Sequence, residues 1–293
     1  MELLTSAEAA AYLRLKERKL YELVAERAVP CTKVTGRWLF PKADLDRWIL
    51  SGLERPSGLA RPDPPPIVGG SHDPLLEWAL RESGSGLAIL AEGSGTGLER
   101  FLEGGVVAAA IHLHALGEPA RDANTGAIKD RAGLQDAVLI AFARREQGLL
   151  VARGNPLGLT SLADVTARRA RLALRPRGAG AQLLLLSLLK QANQETEALE
   201  KGPVCPTGSD IAQAIQAGRA DCGIATRSVA AGAQLDFVPL AWESFDLVMR
   251  QRDYFRDPLQ RLFTFLRSAA FARRAAEMTG YDIGATGSVR YVP

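Results

Sequence analysis

Three short segments pair glycine with hydroxyl or imidazole side chains, a combination suited to holding a small anion. They are Gly70-Ser71-His72-Asp73, Glu92-Gly93-Ser94-Gly95-Thr96-Gly97 and Arg177-Gly178-Ala179-Gly180-Ala181. Each follows a strand-like apolar run and precedes a helical one. Glycine lets a backbone approach a ligand closely, and the free amides of a helix N-terminus donate to negative charge. Ser71, His72, Gly93, Ser94, Gly95, Thr96, Gly178 and Gly180 are therefore the candidate ligand shell, with Arg177 as charge partner. His72, at an expected helix start, would make binding pH-sensitive. His112-Leu113-His114 puts two imidazoles on one side of an extended segment, but only His72 is left as a third histidine. We read His112 as a cleft-edge residue and His114 as outward, and expect no metal site.

Other chemistries lack their residues. Ser71, His72 and Asp73 are adjacent, which rarely gives triad geometry, and no GxSxG elbow occurs. There is neither a GxxxxGK[ST] phosphate loop nor a GxGxxG dinucleotide fingerprint. Cys31, Cys205 and Cys222 are scattered without CxxC spacing, which argues for free thiols rather than disulfides or zinc. No catalytic residues are assigned, and no enzyme is expected.

A second set of residues suits nucleic acid. Arg14, Lys16, Arg18 and Lys19 cluster at a break between two helical patterns, and Lys33 and Arg37 flank a glycine turn. The elements that would carry them are legible. Thr5 and Glu8 form a capping box that opens a first helix with Ala9, Ala10, Tyr12 and Leu13 on one face. Glu17 to Arg27 forms a second, with Leu20, Tyr21, Val24 and Ala28 at helical spacing. Residues 31–34 and 37–40 read as a hairpin. Pro41 to Leu50 reads as a third helix with Leu45, Trp48 and Ile49 inward. Helix, turn, helix, hairpin, helix is a winged helix-turn-helix plan, which would place the basic second helix in a major groove. Residues 3–50 resemble the excisionase-type branch of the MerR-like DNA binders. The likeness rests on Leu4-Thr5, Glu8-Ala9-Ala10, Tyr12-Leu13, Leu20-Tyr21, Val29-Pro30, Lys33-Val34, Gly36-Arg37-Trp38, Phe40 and Asp44-Leu45-Asp46-Arg47-Trp48.

The composition breaks at residues 51–65, a proline- and glycine-rich spacer. This divides the chain into a head (1–50), a linker (51–65) and a ligand domain (66–293). Beyond the spacer, strands are expected at 66–69, 87–91, 106–111, 137–143, 148–152, 171–174, 220–225, 237–240 and 244–250. Helices alternate with them, and a long loop follows residue 111. Alternation implies a parallel, doubly wound sheet with its ligand at the strand C-ends. Residues 67–250 resemble the periplasmic-binding-protein-like domains related to molybdate- and tungstate-type solute-binding proteins. The resemblance rests on the first two glycine loops and on Ala110-Ile111-His112-Leu113, Arg145-Glu146-Gln147-Gly148-Leu149, Gly154-Asn155-Pro156, Leu162-Ala163-Asp164 and Gly218-Arg219-Ala220-Asp221-Cys222-Gly223. It implies two α/β lobes (type II) closing on a ligand and splitting near 144–152 and 225–240. The chain departs from the family at Leu174-Arg175-Pro176-Arg177-Gly178-Ala179-Gly180-Ala181-Gln182, where two hydroxyls and a final arginine are replaced.

The 293 residues are 47% hydrophobic and 24% charged with a net charge of +3, which excludes bulk disorder and a basic nucleic-acid coat. No apolar run spans a bilayer and no secretory signal opens the chain, so a cytoplasmic protein without membrane contact is expected. Together the two resemblances imply a one-component transcriptional regulator. It would bind double-stranded operator DNA as a homodimer and sense a small anion, molybdate or tungstate first, with no cofactor. A small carboxylate such as formate, a molybdenum cofactor, or a domain used only for dimerisation are alternatives. An enzyme and a recombination-directionality factor are further rivals.

Overall fold

The computed structural model describes residues 2–34, 36–51, 63–114, 123–129 and 131–292. The chain divides into two compact units, Met1–Arg61 and Pro62–Pro293. Of the spacer at 51–65, residues 52–62 lie outside the described residues.

The first unit runs β1 (Leu3–Thr5), α1 (Ser6–Tyr12), α2 (Glu17–Ala25), β2 (Thr32–Val34), β3 (Arg37–Pro41) and α3 (Lys42–Ser51). The capping box at Thr5 and Glu8 is present. Ala9, Ala10, Leu20, Val24, Val29, Phe40 and Leu45 form the core. The sequence reading left out β1, which adds a third antiparallel strand to the hairpin, with Leu4 opposite Phe40. Tyr12, Tyr21 and Ile49 are 40%, 45% and 40% exposed, not inward as their spacing suggested, and Ala28 is also exposed. Tyr12 ends in a hydroxyl bonded to Asp46 and so keeps its polar tip at the surface.

The second unit runs β4 (Ile67–Gly70), α4 (Pro74–Glu82), β5 (Ala88–Ala91), α5 (Ser94–Glu103), β6 (Ala108–Ile111), α6 (Ala123–Lys129), β7 (Ala137–Val151) and α7 (Leu162–Ala167). It continues with β8 (Leu172–Leu174), α8 (Gly180–Gln191), β9 (Lys201–Val204), α9 (Gly208–Gln216), β10 (Cys222–Thr226), α10 (Arg227–Gly232) and β11 (Asp236–Arg250). Then come α11 (Gln251–Tyr254), α12 (Asp257–Leu266), α13 (Ala269–Met278), β12 (Tyr281–Asp282) and β13 (Val289–Tyr291). The strand order is β5-β4-β6-β11-β7-β10-β8-β9, with β12 and β13 also paired to β7.

Two expectations are corrected. The sheet is mixed rather than parallel: β4 lies parallel to β5 and β6, and β8 to β9 and β10, but β7 and β11 run antiparallel to their neighbours. And β7 and β11 are each one continuous strand where two short ones were expected. Their polar midpoints resemble loop chemistry, yet they are paired along the whole length, with register shifts at Pro239/Ala241 and Phe245/Asp246. These long strands serve two lobes. Ile140, Phe142, Phe245 and Leu247 pack in the core of lobe one, whereas Leu149 and Val151 pack with Leu172, Leu184 and Ile224 in that of lobe two. The crossing falls at 144–148 and 241–244. Part of the loop expected after residue 111 is the helix α6. Among the described residues, no helix is long and apolar enough to cross a membrane.

Candidate functional site

A narrow cleft of about 20 Å³ opens between the lobes where β7 and β11 cross. That is room for about one water molecule, so a ligand of several heavy atoms enters only as the lobes part. Lobe one contributes Ser71 and His72 after β4 and His112 after β6. The crossing strand contributes Arg145 and Gln147, and lobe two Arg175, Gly208 and Thr226.

At its floor sits a buried charge cluster centred on Glu243, which is 1% exposed. Oε1 of Glu243 accepts from Arg145 Nε at 3.0 Å and Gln147 Nε2 at 2.8 Å. Oε2 meets His112 Nδ1 and His114 Nε2, each at 2.9 Å. Arg145, also 1% exposed, reaches Asp73 Oδ2 at 2.9 Å and lies over the Phe245 ring at 3.9 Å. Asp73 also caps α4 by accepting from the Leu76 amide, and accepts a third bond from the Tyr281 hydroxyl at 3.0 Å. Breaking such a cluster by removing one member leaves an uncompensated buried charge.

Burial drives His112 down to about 4, more strongly than Glu243 pulls it up, so the imidazole is neutral at pH 7. Burial would raise Glu243, but the partners around it hold it well below the usual carboxylate range. Because His112 is neutral, it gives Glu243 an N–H bond, and the opposing charge comes from Arg145. Burial raises the Asp246 carboxyl, further along β11, to about 6 despite its bond from Asn124.

Ser71 Oγ lies 2.7 Å from His112 Nε2, so Ser71, His112 and Glu243 have the connectivity of a serine–histidine–acid triad. Its electrostatics oppose catalysis: the imidazole is a weak base and Arg145 already neutralises the acid. The ligand atoms of His112, His114 and Glu243 also lie within 4.8 Å of one another, a spacing compatible with a metal ion. The Arg145 guanidinium bonded to the same carboxylate disfavours a second cation there.

The structure sorts the residues expected from sequence. Ser71, His72 and His112 line the cleft, and His72 Nε2 contacts Glu77 at 3.1 Å. His114 is not outward; it is bound to Glu243. Ser94 is fully buried behind the cleft, accepting from the His112 amide at 3.0 Å. Gly93 takes a left-handed φ of 91° at the start of α5. Gly180 carries the tightest lobe-to-lobe approach: a Cβ there would fall 2.1 Å from the His112 carbonyl oxygen. A Cβ on Gly95 would sit 3.4 Å from Gly178 O. The glycine loops thus converge, but on one another. Thr96, Arg177 and Gly178 are exposed and do not line the cleft.

Sequence reasoning missed Arg145, Gln147, Arg175, Gly208, Thr226 and Glu243. Arg145 and Gln147 alternate along one strand and so share a face, a signal present in the sequence. In the head, Arg14, Lys16, Arg18, Lys19, Lys33 and Arg37 are all exposed. Arg14 makes the turn with φ 54°, Arg18 and Lys19 contact Glu22 at 3.5 and 3.2 Å, and Lys33 lies 5.3 Å from the Trp38 ring.

Residues 76–267 match the family described as PBP superfamily domain, and residues 3–52 match a helix-turn-helix domain. YvgK of Bacillus subtilis (strain 168) is 25% identical over 311 residues, spanning 97% of this chain and 96% of that protein. The tungstate ABC transporter structure from Geobacter sulfurreducens superposes with a TM-score of 0.52 at 14% identity, covering 72% of this chain and 97% of its own. The CcmR regulatory domain of Synechocystis PCC6803, in complex with 2-PG, gives 0.50 at 11% identity over 68% and 93%.

Proposed function

The chain belongs to the PBP superfamily family and carries a helix-turn-helix domain ahead of that domain, and from this premise we propose that it is a one-component transcriptional regulator switched by a small anion. A helix-turn-helix domain ahead of a PBP superfamily domain supports a regulator rather than an enzyme. The observation that carries the anion reading is Arg175. Its guanidinium lines the cleft, donates to the Pro206 carbonyl at 2.7 Å, and keeps a buried Nε with no partner among the described residues. An anion seated there would touch both lobes, with Ser71 and His112 on one side and Arg175 and Thr226 on the other. A ligand that binds both walls favours the closed arrangement by its differential affinity.

The head would read double-stranded operator DNA through the start of α2, with Lys33 and Arg37 on backbone phosphates. A homodimer would match two-fold operators. The ligand-induced change would alter how two heads meet two half-sites.

The test uses the full chain. Fragments of genomic DNA are selected on it, and their affinity is measured with and without molybdate, tungstate, sulfate, phosphate, formate and other small carboxylates. At 100 times its Kd, a bound anion adds about 2.7 kcal/mol of stability, visible as a thermal shift. The expected result is one anion class that raises the melting temperature and changes operator affinity. Arg18→Ala with Lys19→Ala should weaken operator binding and spare the anion shift. Thermal shifts without any DNA affinity would sink the regulator reading.

A further inference from the structure

The two buried carboxylates fix the direction of every hydrogen bond that leads from them to the cleft. A carboxylate accepts and does not donate. Gln147 must therefore turn its amide NH₂ toward Glu243, which points its Oε1 the other way. That oxygen is buried and has no partner among the described residues, in a side chain 2% exposed that lines the cleft. The neutral His112 must give its Nδ1–H to Glu243, so its Nε2 accepts, and the Ser71 hydroxyl spends its proton there. What Ser71 has left is lone pairs.

A third chain starts at Asp73. The Tyr281 hydroxyl donates to it; Ser228 Oγ, 3.0 Å from that hydroxyl, must then donate to Tyr281. Thr226 Oγ1, 2.9 Å from Ser228, must donate in turn. Thr226 lines the cleft, and its oxygen also has only lone pairs to offer. Three chains of different lengths thus end alike. Ser71, Gln147 and Thr226 present acceptors, while Arg175 and the Gly208 amide at the start of α9 present donors.

Charge agrees with this. Arg145 faces both Glu243 and Asp73 at the floor, so the cleft there is not a field of positive charge. A fully deprotonated tetrahedral oxyanion brings only acceptors and would confront three more of them.

We propose that the effector is a small anion that itself carries hydrogen-bond donors, its anionic oxygens toward Arg175 and its O–H or N–H groups toward Ser71, Gln147 and Thr226. This rests on the small-anion reading above and narrows it. Hydrogen phosphate, α-hydroxy acids and amino acids share the required chemistry. Molybdate, tungstate, sulfate and acetate lack it. A site built to bond a ligand hydroxyl rejects the analogue without one, because its polar groups are left unpaired.

The experiment is calorimetric titration of the full chain with phosphate, glycolate and glycine in one arm and sulfate, molybdate, tungstate and acetate in the other. At least one donor-bearing anion should bind 10-fold or more tighter than every donor-free one, and which of the three leads identifies the source of the donor. Thr226→Val should remove most of that preference, and Thr226→Ser should restore it. Molybdate, tungstate, sulfate or acetate binding as tightly as the best donor-bearing anion would overturn the proposal and leave the anion sensor standing. No binding by either arm would overturn the sensor reading and this proposal with it.

Discussion

The glycine loops and the crossing strands make opposite use of similar residue types. At the loops, Ser94 is buried and satisfied, Gly180 sits against His112, and Thr96 and Arg177 face solvent. At the crossing, Arg145, Gln147 and Glu243 are buried amid long apolar strands, and one polar atom is left without a partner. The loops look like a ligand shell and shape the lobe-to-lobe contact. The strands look like framework and set which atoms the cleft offers.

The sharpest way to break this contrast is Arg145→Met. It strands Asp73 and Glu243 as buried carboxylates, so unfolding in urea should show a loss of about 3–5 kcal/mol. A loss below 1 kcal/mol would mean that the cluster is not the framework described.

Acid stability separates two buried groups, His112 after β6 and Asp246 on β11. His112 falls from its ordinary 6.5 to about 4 in the folded chain, so its contribution is present above pH 6.5 and lost as pH falls toward 4. Asp246 rises from 3.8 to about 6, so its contribution is present below pH 3.8 and lost as pH rises toward 6. At about 1.36 kcal/mol per pH unit, each amounts to roughly 3 kcal/mol, with opposite signs. The wild type should therefore change little between pH 4 and 6, and Asp246→Asn should fall steeply on acidification. Parallel curves for the two proteins would refute the assignment.

Gly180→Ala tests the loop side. Its Cβ would collide with the His112 carbonyl across the lobe-to-lobe contact, so phosphate or glycolate affinity should drop about 10-fold, near 1.4 kcal/mol. Unchanged affinity would remove this contact from closure. The smallest effect is expected for Arg177→Ala, within about 0.5 kcal/mol in stability and without change in anion affinity. A large loss of affinity would return Arg177 to the ligand shell.

How much could be read beforehand follows the same division. The strand-then-glycine pattern located Ser71, and the end of the 106–111 run located His112, because strand C-ends point at the cleft whatever the details. Arg175 carries no such signal, because the glycine neighbours single out Arg177, two residues on at the loop tip. The crossing was harder. Arg144-Arg145-Glu146-Gln147 interrupts an apolar run, and burial of such a run is ruled out by its own sequence unless partners come from elsewhere. Those partners, Asp73, Glu243 and Tyr281, lie 72, 98 and 136 residues away from Arg145 along the chain. In β11 the gap expected at 241–243 holds one charged residue, Glu243, whose partners likewise lie far away along the chain. In the head, local capping and spacing gave the helices, but β1 needed the distant β3 to exist.

Glu243 also bears on how such a protein can diverge. One carboxylate serves Arg145, Gln147, His112 and His114 at once, so replacing Glu243 strands several polar groups together. Drift through that set requires coordinated change, and descendants that keep the fold should inherit it as a block. Thr226 has no such obligations to the block, and Gly208 makes none through a side chain. A lineage adapting to a new signal molecule would change at the rim, one residue at a time, while the floor is handed down intact.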